Sequence, residues 1–125
     1  MDNKFGEFVS ARRIEKEIGL REMAEILDIS PSYFNDIEKG RRNPPNLSKI
    51  KEISQILQLS VQGTDDLIDI ASETRGEIPM DVTDYIKEND IVKIALRKAR
   101  KAEERGEEKL VEKAWRDFIK MIEQE

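Results

Sequence analysis

The sequence runs to 125 residues with a formal net charge of −5, 39% charged and 6% aromatic side chains, enough for one compact domain of about 70 residues and an appendage. It has no cysteine and no histidine, which removes disulfides, thiolate or imidazole metal sites and every nucleophile and base pairing built on those groups, so neither an enzyme nor a cofactor is expected. The opening MDNKFGEF lacks a basic region followed by an apolar run, and no stretch approaches about eighteen consecutive apolar residues, so a cytoplasmic chain with no membrane segment is expected.

Apolar residues recur at helical intervals rather than in alternation, which predicts an all-α fold. A first helix is expected from Phe5 to Ile18, with Phe5, Phe8, Val9, Arg12, Arg13 and Ile14 on one face and Gly19 closing it. A second, Leu20 to Leu27, places Leu20, Met23, Ala24 and Leu27 on one side, and the small Ala24 permits close approach of another helix. Asp28, Ile29 and Ser30 break the periodicity.

Ser30 before Pro31 is a start signal: the hydroxyl accepts from the free N–H groups of a first turn, and proline is tolerated at the first helical position. The third helix, SPSYFNDIEKG, turns Phe34 and Ile37 inward, leaves Ser32, Tyr33, Asn35 and Asp36 outward, and offers Gly40 as a left-handed terminator. Arg41 to Pro45 reads as an extended loop, because each residue before a proline is pushed out of helical geometry. Asn46 caps a fourth helix carrying Leu47, Ile50, Ile53, Ile56 and Leu57, and Thr64 or Asp65 opens a short fifth one carrying Leu67, Ile68 and Ala71.

These five helices end near Ser72, giving a domain over 1–72. Residues 73–80, with the apolar-free Glu73 to Glu77, form a linker, and 81–125 a helical extension. There Asp81 caps a short helix with Val82, Tyr85 and Ile86, Asn89 or Asp90 caps a longer one from Ile91, and a third run begins near Gly106. In that run Leu110, Val111, Ala114, Trp115, Phe118, Ile119 and Ile122 form an apolar stripe. An effector pocket, a dimer seam and packing on Ile91, Ile94 and Ala95 are its possible uses, packing or self-association being the simpler. Glu103, Glu104, Glu107 and Glu108 beside Arg97, Lys98, Arg100 and Lys101 read as solvated faces with salt-bridge spacing.

Affinity for DNA rests on neutralising phosphates, so the negative total argues against a nucleic-acid partner, but the distribution reverses that argument. From Lys39 to Lys51, KGRRNPPNLSKIK carries Lys39, Arg41, Arg42, Lys49 and Lys51 with no acid, while acids gather near Asp65, Asp66 and Asp69 and in the tail. Capping of a helix start accounts for Asp65 and Asp66 better than a metal site does.

Two short helices separated by a three-residue break, the second with a polar outer face, form the arrangement that lays a helix in the major groove of DNA. IGLREMAEILDISPSYFNDIEKGRRNPP resembles the Cro/lambda-repressor (XRE) family, and the similarity covers about residues 5 to 72. Ala24 matches the small residue of the first motif helix, Ile29 the hydrophobic residue of the turn, and Ile37, Glu38 and Gly40 the end of the recognition helix.

The resemblance implies a five-helix DNA-binding domain, an ion pair between Arg13 and Glu38, base contacts from Pro31, Ser32, Tyr33, Asn35 and Asp36, and phosphate contacts from Lys39, Arg41 and Arg42. At Leu20 many relatives carry a glutamine that touches phosphate; here the backbone N–H of Leu20 and the side chain of Arg21 take that part. Pro31 donates nothing and Asp36 only accepts, so direct readout is thin and phosphate contacts and DNA shape weigh more. The expected function is a sequence-specific repressor of phage, mobile-element or stress genes, bound to double-stranded DNA as a homodimer. Rivals are an antitoxin whose 81–125 region holds a protein partner, and a protein interaction module without DNA binding.

Overall fold

The computed structural model describes residues 3–123, all of whose regular structure is helical. Eight helices follow in order: α1 Lys4–Glu15, α2 Leu20–Ile26, α3 Pro31–Glu38, α4 Leu47–Ile56, α5 Val61–Arg75, α6 Met80–Glu88, α7 Asp90–Glu104 and α8 Glu108–Glu123. They form two compact units, Met1–Met80 and Asp81–Glu125.

In the first unit α1 packs on α3 and α5, α2 on α3, and α4 on α5. The core they enclose is Phe5, Val9, Met23, Ala24, Leu27, Phe34, Ile37, Ile50, Ile53, Leu57, Leu67, Ile68 and Ala71. Ala24 is fully buried, consistent with a position where a larger side chain would hold α2 and α3 apart. Ile14, expected on the inner face of α1, is exposed, because at 3.6 residues per turn it lies about 140° round the helix from the buried Val9.

The end of α1 differs from expectation because of the left-handed residue that terminates it. Glu17 has φ 58°, and the N–H of Ile18 donates to the Arg13 carbonyl at 3.1 Å, so α1 closes at Glu17 and not at Gly19. Gly19 instead stands extended ahead of α2. Asp28 (φ 57°) and Gln58 (φ 54°) close α2 and α4 in the same way, with Ile29 and Leu59 donating back to Ala24 and Ser54. A left-handed non-glycine residue is uncommon, which is why composition alone points to the neighbouring glycine.

The fifth helix is longer than its acids suggest. Ser60 Oγ accepts from the N–H of Gly63 at 3.0 Å and opens α5 at Val61, so Asp65 and Asp66 lie in the body of the helix and cap nothing; Asp66 instead accepts from Gln62 Nε2 at 2.9 Å. At its far end α5 continues through Arg75 to a left-handed Gly76 (φ 69°). Residues 73–75 of the expected linker are therefore helical, and 76–79 alone join α5 to α6.

In the second unit α7 packs on α8 across a turn at Gly106 (φ 89°). The α6 helix begins at Met80, one residue ahead of the expected cap Asp81. Asn89 precedes α7 but does not cap it, its side-chain amide donating to the Tyr85 carbonyl at 2.8 Å. Of the larger apolar residues here only Val111 is buried, together with Ala102.

Candidate nucleic-acid interface

The site begins at Ser30, where the chain changes direction. Its Oγ accepts from the N–H of Tyr33 at 3.1 Å, and Pro31 occupies the first helical position, so the start of α3 is fixed by a capping bond and a locked φ. Phe34 and Ile37 then enter the core and dictate which face of α3 remains outside.

The other end of α3 is held by a buried ion pair. Arg13 Nε donates to Glu38 Oε2 at 2.7 Å and Arg13 Nη2 to Glu38 Oε1 at 2.9 Å, a bidentate geometry. The third guanidinium nitrogen, Nη1, donates to the Ile18 carbonyl at 2.9 Å. Side-chain exposure is 11% for Arg13 and 4% for Glu38. The hydrogen bonds to Glu38 raise the pKa of Arg13 above its ordinary value despite the opposing effect of burial. The pair joins α1, the loop before α2 and the last turn of α3, which sets the angle at which α3 stands.

Two residues without a sequence signal of their own complete this anchor. Asn3 Nδ2 donates to the Glu38 carbonyl at 2.8 Å, satisfying an acceptor that the end of α3 leaves free. Gly6 lies so close to that same carbonyl that a Cβ would collide with it. A glycine inside a helix costs about 1 kcal/mol relative to alanine, a cost that the close approach of α1 to the end of α3 offsets here.

The residues expected to face bases are less uniformly outward than the helical pattern suggests. Ser32 is exposed; Pro31, Asn35 and Asp36 are half-buried, and so is Tyr33, which packs against the edge of the core. Tyr33 also lies under Arg42, whose guanidinium carbon is 5.5 Å from the ring centroid. The side chains of Arg41 and Arg42 are 66% and 62% exposed, and both reach Asp36, at 3.5 and 4.0 Å. Asp36, Tyr33, Arg41 and Arg42 thus form one surface cluster in which the carboxylate holds the two arginines beside α3.

The loop bearing those arginines is itself braced. Gly40 takes φ 77°, the N–H of Arg41 donates to the Asp36 carbonyl at 2.8 Å, and Arg75 from the end of α5 donates to the carbonyls of Pro44 and Pro45. Lys39 is exposed at the end of α3. Lys49, part of the acid-free window, turns inward to donate to the Leu27 carbonyl at the end of α2 and pairs with Glu52 at 3.2 Å, so it serves α2 and not the basic surface.

At the start of α2 the Leu20 side chain packs against the core while Arg21 is exposed. Glu22 Oε1 accepts from the N–H of Gly19 at 3.4 Å, which brings a carboxylate to the helix end where a phosphate was expected.

The stripe of the second unit is sited differently. Leu110, Phe118, Ile119 and Ile122 are more than half exposed, Trp115 somewhat less, and Val111 alone is buried. Trp115 and Phe118 make an edge-to-face pair at 6.4 Å. Ile91 and Ile94, the expected packing partners, are themselves largely exposed, so packing within the unit does not cover the stripe.

Residues 9–63 match the helix-turn-helix family, a span that opens within α1, takes in α2, α3 and α4, and ends in the first turn of α5. No curated protein and no solved structure gives a significant match to the chain. The matched family is one of DNA-binding regulatory domains rather than of enzymes. Among the described residues no helix is long and apolar enough to cross a membrane.

Proposed function

We propose that this chain, whose amino-terminal unit is a Cro/lambda-repressor-like helix-turn-helix DNA-binding domain, is a repressor that occupies an operator as a homodimer and blocks transcription, with phage, mobile-element or stress genes as its targets. The observation that carries the reading is the cluster on α3: a helix clamped by Arg13 and Glu38 presents Ser32, Tyr33, Asn35 and Asp36 beside the exposed Arg41 and Arg42. Pro31 and Ser32 meet the groove first. Lys39, Arg41, Arg42, Arg21 and the N–H of Leu20 contact phosphates. Asp36 accepts from a cytosine amino group or, while paired with the arginines, aims them at the backbone.

One recognition helix covers a half-site, and two half-sites lie about one helical turn apart, so a dimer multiplies the contacts. The stripe on α8 supplies the seam. A contiguous exposed apolar face marks an interaction surface, and the charges bordering it, Glu108, Lys109, Glu112, Lys113, Arg116, Asp117, Lys120 and Glu123, cancel in sign, so two copies approach without net repulsion. The same exposed face favours a second reading, an antitoxin whose 81–125 region holds a protein partner while the first unit represses their operon. Co-purification of a small basic protein decides for it.

The test is selection of bound duplexes from a random pool at moderate salt, followed by a salt titration. The expected result is an enriched motif, with a slope of log affinity against log salt that shrinks by about one unit for each phosphate no longer neutralised in an Arg41→Glu, Arg42→Glu variant. No enriched motif, with binding unchanged in that variant, overturns the reading and leaves a protein interaction module.

A further inference from the structure

The second unit carries a cationic surface that neither its packing nor the α3 cluster uses. From Ile91 to Ala102 the α7 sequence IVKIALRKARKA contains Lys93, Arg97, Lys98, Arg100 and Lys101 and no acid. Lys93, Arg97, Arg100 and Lys101 recur at helical spacing and so lie along one stripe, while Ala95, Ala99 and Ala102 fall on the other side of the helix, where Ala102 is buried.

Lys93 pairs with Asp90 at 3.3 Å. Among the described residues Arg97, Lys98, Arg100 and Lys101 form no ion pair, and all four are exposed. On α8, by contrast, Lys113 pairs with Asp117 at 2.6 Å and Arg116 with Glu112 at 2.9 Å. Stabilisation by the helix dipole favours cations within the last turn, which accounts for Lys101 but not for Arg97. In a chain of net charge −5, four adjacent unpaired cations on one helix have self-repulsion as a cost and a polyanion as their natural counterpart.

We propose that this stripe of α7 is a second phosphate-binding surface, which grips the DNA backbone outside the half-site read by α3. The proposal rests on the reading of the chain as a DNA-binding regulator. The two units belong to one chain, with residues 76–79 connecting α5 to α6, so a duplex held by the first unit is presented to the second at high effective concentration. Such contacts carry no base information; they add affinity and salt sensitivity without changing the motif.

The experiment compares two duplexes carrying the selected motif, one trimmed to the two half-sites, about 20 base pairs, and one extended by about a helical turn on each side. Affinity of the full chain is measured across a salt series for wild type, for Arg97→Gln, Arg100→Gln, Lys101→Gln, and for the charge-preserving Arg97→Lys, Arg100→Lys. Wild type is expected to bind the extended duplex about tenfold more tightly at low salt, with a slope steeper by about 0.9 per added phosphate contact. The glutamine variant loses that advantage on the extended duplex only, and the lysine variant keeps it. Equal binding of both duplexes by wild type, or a glutamine variant that matches wild type on the extended duplex, overturns the proposal and leaves the stripe to an acidic protein surface. Failure of wild type to bind either duplex instead overturns the regulator reading beneath it.

Discussion

The two units of this chain solve the same problem, the burial of helix faces, to different extents. In Met1–Met80 the large apolar side chains of five helices converge and Phe34, Met23, Leu27, Ile37, Ile50 and Ile53 are fully enclosed. In Asp81–Glu125 two amphipathic helices meet along a narrow line through Ala102 and Val111, and Phe118 and Ile122 stay 51% and 67% exposed. A helix pair has too little surface to enclose a core, so its apolar face remains for something else to cover. The first unit closes a core and displays the polar and cationic groups of α3 and the loop after it; the second leaves the apolar stripe of α8 and the cations of α7 exposed.

The sharpest way to break this contrast is to truncate one phenylalanine in each unit. Phe34→Ala is expected to destabilise the first unit by about 4 kcal/mol, as buried phenylalanines do, read as an earlier midpoint in urea. Phe118→Ala should leave that transition unmoved and weaken self-association in sedimentation. Equal losses of folding stability would mean that α8 is as buried as α3.

Next in size is the buried pair. Glu38→Ala strands the Arg13 guanidinium in a site of 11% exposure with one remaining acceptor, the Ile18 carbonyl, and should cost about 3 kcal/mol in chemical unfolding. A loss below about 1 kcal/mol would place the pair among surface bridges.

Gly6→Ala should come third. Helix propensity favours alanine by about 1 kcal/mol, yet its Cβ would collide with the Glu38 carbonyl. The two effects oppose, and a net destabilisation of about 1 to 2 kcal/mol by thermal unfolding is expected because the clash is with backbone. A stabilised variant would show that α1 and α3 are free to part.

The smallest effect belongs to the surface of α8. The hydrogen bond from Lys113 holds the Asp117 carboxyl below its ordinary range, with desolvation opposing and the charges of Lys113 and Lys120 assisting. The folded pKa lies below the unfolded one, so this contribution is present above the unfolded value and disappears as pH falls through the folded one. In an acid titration followed by circular dichroism, Asp117→Asn should remove a slight helix loss at the acid end and leave the neutral signal unchanged.

Much of the first unit is legible in the residues themselves. Ser30 and Pro31 mark the start of α3, Gly40 its end, and the pattern of Phe34 and Ile37 its inner face, because each of these signals acts locally. The closure at Glu17 is not legible, since a left-handed conformation there is one that composition does not favour, and the neighbouring Gly19 is the residue the pattern points to. Nor are Asn3, Gly6 and Arg75, whose partners lie about thirty or more residues away. Lys49 shows the limit of counting charges: it belongs to the acid-free window, yet it serves the end of α2. The α8 stripe is fully legible as a pattern, but a pattern does not reveal whether its cover lies in the same chain.

If α3 and the loop after it are the DNA-facing surface, amide chemical shifts of the full chain on titration with the selected duplex report it most directly. The predicted result is that the largest perturbations fall between Ser32 and Arg42, with Arg21 next. Perturbations confined to α8, with Ser32 to Arg42 unmoved at saturating duplex, would contradict it.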